Sequence, residues 1–214
     1  LVEGQAVGVL DGIFRADWEF AAGQRLLPLT STASAGRVPV RVLPSGPDVP
    51  TDPIYDAILT AVFRAERRLW IATPYFVPDE PMVRALAIAA RGGVDVRIVV
   101  PARSNHALAD LVAAPYLREL SMEGVDVRMF RPGMLHAKTM LVDDSVAVVG
   151  SANFDMRSLF LDYEIALFFN GPAEVARLAK WFDTAAVGTD PSLRPVGRFR
   201  SRVESIARLL APLV

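Results

Sequence analysis

The chain has 214 residues, 52% hydrophobic and 22% charged, with a net charge of −1. That is a soluble globular composition with ample material for a core, and it excludes disordered, collagen-like and coiled-coil chains. Cysteine is absent and histidine occurs only as His106 and His136, which removes disulfides, a thiol nucleophile and a soft or imidazole-rich metal centre, so no cofactor is expected.

No apolar run approaches the roughly 20 residues that span a bilayer, and no signal-peptide order opens the chain. The segment therefore reads as soluble. It begins at Leu1, mid-pattern, which is expected of a piece of a longer polypeptide. The near-zero charge makes no electrostatic case for nucleic acid.

Residues 5–22 predict an amphipathic helix, with Val7, Leu10, Phe14, Trp18 and Ala21 at three- and four-residue steps and Gly23 as its stop. Residues 28–36 are small, polar and turn-prone, a linker. This divides the chain into 1–36, a helix and linker, and 37–214, an α/β domain. Val38 to Leu43 alternates as a strand, and 44–50 is a turn-rich loop. Asp52-Pro53 opens a helix whose inner face is Ile54, Ile58, Ala61 and Val62. Leu69 to Thr73 is a strand ended by Pro74. Asp79 caps the next helix, with Val83, Leu86, Ala87 and Ala90 inward and Gly92-Gly93 as its stop. Val94 to Val100 is a strand, 106–122 a helix stopped by Gly124, and Val125 to Phe130 a strand.

This alternation predicts a sheet covered on both faces by helices. From Leu135 the pattern changes. Residues 135–142 and 146–149 read as strands joined by a turn at Asp143-Asp144-Ser145, and 162–169 as another strand. Pro172 opens a helix reaching Val187, and 198–213 forms a basic amphipathic helix of the kind that lies on anionic lipid or docks on a domain.

The chemistry concentrates in GMLHAKTMLVDDSVAVVGSANFD. In a strand His136 and Lys138 project to one face and Asp143 to the other. Ser151 and Asn153 follow the next strand and return towards His136. Glu164 falls inside an otherwise apolar strand, where a carboxylate needs a partner, and His136 is the obvious one. These residue types suit phosphoryl transfer without metal: imidazole as nucleophile or proton donor, a carboxylate to orient it, and Lys138, Asn153 and Ser151 on the non-bridging oxygens. Residue types alone fit equally well a hydrogen-bonded core histidine beside an edge lysine. Tyr75 and Phe76, between two prolines after a strand, are placed either at the mouth of the site or in aromatic packing. His106, near a helix start, reads as a surface or capping residue.

H-A-K-T-M-L-V-D at 136–143 followed by G-S-A-N at 150–153 resembles the H-x-K-x4-D-x6-G-S-x-N signature of the phospholipase D superfamily, matching at every specified position. Stretches 73–86, 92–106, 132–144 and 150–158 resemble bacterial cardiolipin synthases in particular. Residues 2–23 resemble the helix that closes the first half of such enzymes. The resemblance implies a mixed sheet sandwiched between helices, and transfer of a phosphatidyl group between two phosphatidylglycerols through a phosphohistidine, yielding cardiolipin and glycerol. It places His136, Lys138, Asp143, Ser151, Asn153 and Glu164 in the site. His136 is then either the nucleophile or the general acid, Lys138 and Asn153 bind phosphate, and Glu164 orients His136. The parity and turn position of Asp143 give it a structural role.

The family carries two signatures, one per half, and this chain has one. The second half-site is expected from a missing N-terminal half, with the full-length protein on the bacterial cytoplasmic membrane. Three alternatives remain. One is a one-signature phosphodiesterase or nuclease acting as a homodimer, which would need a basic groove. Another is a half that binds only lipid, and the last a half that binds only a partner protein.

Overall fold

Alternating strands and helices assemble into one eight-stranded sheet with helices on both faces. The computed structural model describes residues 2–29, 36, 38–190 and 211. Most of the expected linker and all of the expected basic helix over 198–213 except Ala211 lie outside the described residues.

In chain order the elements are α1 (Gln5–Ala22), β1 (Val40–Ser45), α2 (Pro53–Arg64), β2 (Arg68–Ala72), β3 (Phe76–Val77), α3 (Glu80–Arg91), β4 (Asp95–Pro101) and α4 (Ala107–Met122). They continue with β5 (Asp126–Phe130), β6 (Thr139–Val142), β7 (Val146–Gly150), β8 (Phe154–Asp155), α5 (Met156–Phe160), β9 (Glu164–Phe169), α6 (Pro172–Ala186) and β10 (Thr189–Asp190). The order across the main sheet is β1-β9-β7-β6-β2-β4-β5-β10. Strands β2, β4 and β5 run parallel, and every other pairing in this sheet is antiparallel. β3 and β8 form a separate parallel pair.

The central strands read as apolar runs because both faces are covered. Leu69, Ile71, Ile98, Met140 and Val148 point to a core shared with α2, α3 and α4. Their neighbours Trp70, Ala72, Val99, Leu141 and Ala147 point to a second core under α6, against Val175 and Phe182. This is the period of two expressed on two helical layers. Each fully buried Leu, Ile or Phe contributes about 2 kcal/mol of transfer free energy.

Helix ends follow their local chemistry. The Asp79 side chain accepts the Met82 N–H at 3.2 Å and caps α3. Gly23 closes α1 in the left-handed region, at φ 65°. Asp52 precedes α2 without a side-chain cap. α1 buries none of its residues, and Phe14 and Phe20 are exposed.

The structure corrects two strand boundaries and adds three short strands. The strand expected over 135–142 begins only at Thr139, so His136 and Lys138 sit in the irregular approach to β6. Glu164 opens β9 instead of lying inside it. The two-residue strands β3, β8 and β10 were not anticipated, because two residues are too few to show a period.

Candidate active site

The strand register gathers the chemistry at one edge of the sheet. Ala72 ends β2 and pairs with Val99 and Thr139. Thr139 opens β6 and pairs with Val149. Gly150 ends β7 and pairs with Ala166 near the start of β9. The segments that leave or enter these strands are therefore neighbours: Tyr75 after β2, His106 after β4, Lys138 before β6, Ser151 and Asn153 after β7, and Glu164 at the start of β9. This is the carboxyl edge of the parallel strands, where open α/β sheets place their ligands.

Gly150 makes the approach possible. A Cβ built there would lie 2.5 Å from the Ile165 carbonyl oxygen. Without it β7 closes against β9, and the Ser151 N–H donates to the same carbonyl at 2.9 Å. The Ser151 hydroxyl accepts the Ile165 N–H at 3.0 Å and donates to Glu164 Oε2. This is a correction: Glu164 pairs with Ser151, not with His136. Register decides it, because Ser151 leaves β7 where Glu164 enters the adjacent β9.

A polar network continues inward. The Asn153 amide donates to Ser158 Oγ at 3.0 Å. Asn153 Oδ1 is buried without a hydrogen-bond partner among the described residues. Asp155, 4% exposed, caps α5 by accepting the Ser158 N–H at 2.7 Å. Burial raises the Glu164 carboxyl above its ordinary range, as do Asp162 and Asp155, against lowering by hydrogen bonds from Ser151 and Ser158. Burial also raises Asp155 against its hydrogen bonds from Ser158 and Asn153. Lys138 is half-buried and its ammonium is lowered by that burial, with Glu164 and Asp155 opposing the shift. Its Nζ donates to the His136 carbonyl at 3.1 Å.

His136 is exposed, and among the described residues its imidazole makes no hydrogen bond. Its ring stands edge-on to Tyr75 at 6.5 Å between centroids. Tyr75 and Asn153 line a cleft of about 280 Å³ with Asp155, Arg157, Ser158 and Asp162. Phe76 does not reach the mouth of that cleft: it is 1% exposed, in the main core, and pairs with Phe154. Tyr75 precedes β3, whereas Phe76 opens it and is held in the core by the pairing with β8.

Asp143 lies at the opposite end of β6 from His136 and is corrected out of the site. It occupies the turn at φ 49° and accepts the backbone N–H groups of Glu66, Arg67 and Arg68 at 3.1, 2.8 and 3.0 Å. Burial opposes its ionisation, but these donors and the Arg67 charge outweigh that and hold the carboxyl below its ordinary range.

Sequence reasoning missed Asp155, Ser158, Arg157, Asp162 and His106 as residues of this neighbourhood. A signal existed for Asp155: Asp-x-x-Ser is a helix-capping pattern, and it places the pair beside Asn153.

The family model described as "Cardiolipin synthase, PLD-like domain" matches residues 58–186. The chain belongs to this family. Among cardiolipin synthases, it is 38% identical over 173 residues to cardiolipin synthase A of Pectobacterium carotovorum subsp. carotovorum (strain PC1), covering 78% of this chain and 35% of the relative. It is 34% identical over 219 residues to the probable cardiolipin synthase YwiE of Bacillus subtilis (strain 168), covering 98% and 43%. The chain thus spans less than half the length of these curated relatives.

Two solved structures share the fold. Nuc, a phospholipase D family member from Salmonella typhimurium, aligns with TM-score 0.63 and 22% identity over 72% of this chain and 97% of its own. Phosphatidylserine synthase of Haemophilus influenzae Rd KW20 aligns with TM-score 0.63 and 19% identity over 94% and 52%. The mixed sheet between helices expected from the resemblance is the fold observed.

Proposed function

We propose that this chain supplies one half-site of a phosphatidyltransferase that converts two phosphatidylglycerols into cardiolipin and glycerol. One observation carries the reading: the complete signature is present, and its Lys138, Ser151 and Asn153 meet Glu164 at one sheet edge beside the exposed imidazole of His136.

Two such half-sites face each other in this mechanism. One imidazole attacks phosphorus, forming a P–N bond as the P–O bond to glycerol breaks. The other imidazolium gives its proton to the departing glycerol oxygen. It then takes the proton from the hydroxyl of a second phosphatidylglycerol, whose oxygen attacks phosphorus and breaks the P–N bond. His136 takes the acid–base role. Lys138 and Asn153 hold the non-bridging oxygens, where fixed donors stabilise the transition-state charge. Ser151 holds Glu164 behind them.

The second half-site comes from a preceding segment of a longer chain or from a second copy. We read residues 1–36 as the end of a preceding unit and 37–214 as the phospholipase D-like domain, a division supported by an α1 that buries none of its residues. The phospholipid substrate requires contact with a membrane surface, the bacterial cytoplasmic membrane in this reading, and no nucleic acid. Among the described residues, no helix is long and apolar enough to cross a membrane.

The test uses the protein in the length its gene encodes, incubated with phosphatidylglycerol vesicles. Formation of equal amounts of cardiolipin and glycerol, abolished by His136→Ala, is expected. Retained transfer in that variant would remove His136 from the chemistry.

A further inference from the structure

The two histidines of the chain flank the same ring. Tyr75 stands edge-on to His106 at 6.4 Å and to His136 at 6.5 Å, and its hydroxyl donates to Asn105 Oδ1 at 2.5 Å. The loop carrying His106 is pinned by Ser104, whose Oγ accepts the His106 N–H at 3.0 Å. His106 caps α4 through its side chain, with Nδ1 accepting the Ala109 N–H at 3.3 Å. An occupied Nδ1 lone pair puts the proton of the neutral ring on Nε2. That N–H has no protein acceptor among the described residues, and the exposed ring lines the cleft that Asn153 also lines.

The cleft mixes two kinds of polar group. His106 and Arg157 donate, whereas Asp162 accepts, its carboxylate 3.2 Å from the Arg157 Nε. A bare phosphate is served by donors and repelled by carboxylates. A hydroxyl both donates and accepts, so it pairs with both kinds of wall. Ala109, 3% exposed, closes one wall of the cleft with an apolar side chain. The volume, about 280 Å³, is close to the lower bound of small-molecule sites, about 300 Å³.

We infer that the cleft between His106 and Asn153 is a subsite for a polyol headgroup, the glycerol of the phospholipid. His106 is its specificity-determining residue, donating Nε2–H to a headgroup hydroxyl oxygen while Asp162 accepts the hydroxyl proton in a hydrogen bond. Tyr75, between the two rings, separates this subsite from the phosphate seat at His136. The inference rests on the proposed phosphatidyl transfer for that seat.

The assigned imidazole resonances of His106 and His136 report the two sites separately. The labelled protein is titrated with sn-glycerol 3-phosphate and with inorganic phosphate. Glycerol 3-phosphate is expected to move both rings, and inorganic phosphate His136 alone. His106→Asn keeps a good helix cap and removes the ring donor. It is expected to weaken glycerol 3-phosphate binding about fivefold, the size of one neutral hydrogen bond, and to leave inorganic phosphate unchanged. Unchanged glycerol 3-phosphate affinity in that variant, or equal weakening of both ligands, overturns the subsite. A response confined to His136 with both ligands also overturns it while sparing the phosphate seat. Silence of both rings overturns the subsite and the proposed function together.

Discussion

The Asp143 carboxylate accepts the backbone N–H of Arg67 at 2.8 Å, across 76 positions of sequence. The turn between β6 and β7 is thereby fastened to the start of β2, with the Glu66 and Arg68 N–H groups completing the clasp. A signature residue thus serves the frame of the sheet.

Asp143→Ala should therefore act on stability. It leaves three N–H groups without their acceptor, at a cost of about 2 kcal/mol after partial replacement by water. That corresponds to a fall in Tm of roughly 5 °C for a domain of this size. The folded fraction keeps its activity. The carboxyl is held below its ordinary range, so its contribution is full above about pH 4 and is lost as pH falls through the lowered value. The gap in Tm between wild type and variant should close on acidification.

Glu164 has the opposite sign. Burial raises its carboxyl, so the folded protein keeps this proton after the unfolded chain has released it. The resulting stability is present below the unfolded value, about 4.3, and is lost as pH rises through the raised folded value. Glu164→Gln stays neutral throughout. Its Tm relative to wild type should rise between pH 4 and 7, and a constant offset across that range would contradict the assignment.

His136→Ala should separate chemistry from folding. The ring is exposed and without a hydrogen bond among the described residues, so Tm should change by less than about 1 °C. Phosphatidyl transfer should fall at least about a thousandfold. A chelator should leave the wild-type rate unchanged, because Lys138 and Asn153 supply the charge stabilisation in this mechanism.

Gly150→Ala should damage both. Its Cβ would lie 2.5 Å from a backbone oxygen of β9, and backbone cannot swing aside as a side chain can. About 2–3 kcal/mol of stability should be lost, read as a lowered denaturation midpoint. Transfer should also fall, because Ser151 is moved from Glu164.

Much of this arrangement is legible without coordinates. Short apolar runs bounded by turn signals located the central strands, Asp79 and Gly23 marked helix ends, and the spacing of His136, Lys138, Ser151 and Asn153 identified one constellation. Parity and turn position assigned Asp143 to the frame. These are local properties, set by residues within one element and its cap.

What meets what is not local. Strand β7 lies between β6 and β9, and that order gives Glu164 to Ser151 instead of His136. The β3–β8 pair buries Phe76 while Tyr75 reaches the cleft. The scarcity of histidine in the composition could exclude an imidazole-rich metal site, but not show that both histidines flank Tyr75. The sequence by itself determined the longer elements and the residue types of the site. Only the tertiary structure decided their partners, because strand order and register join segments far apart along the chain, and no period within a segment records that choice.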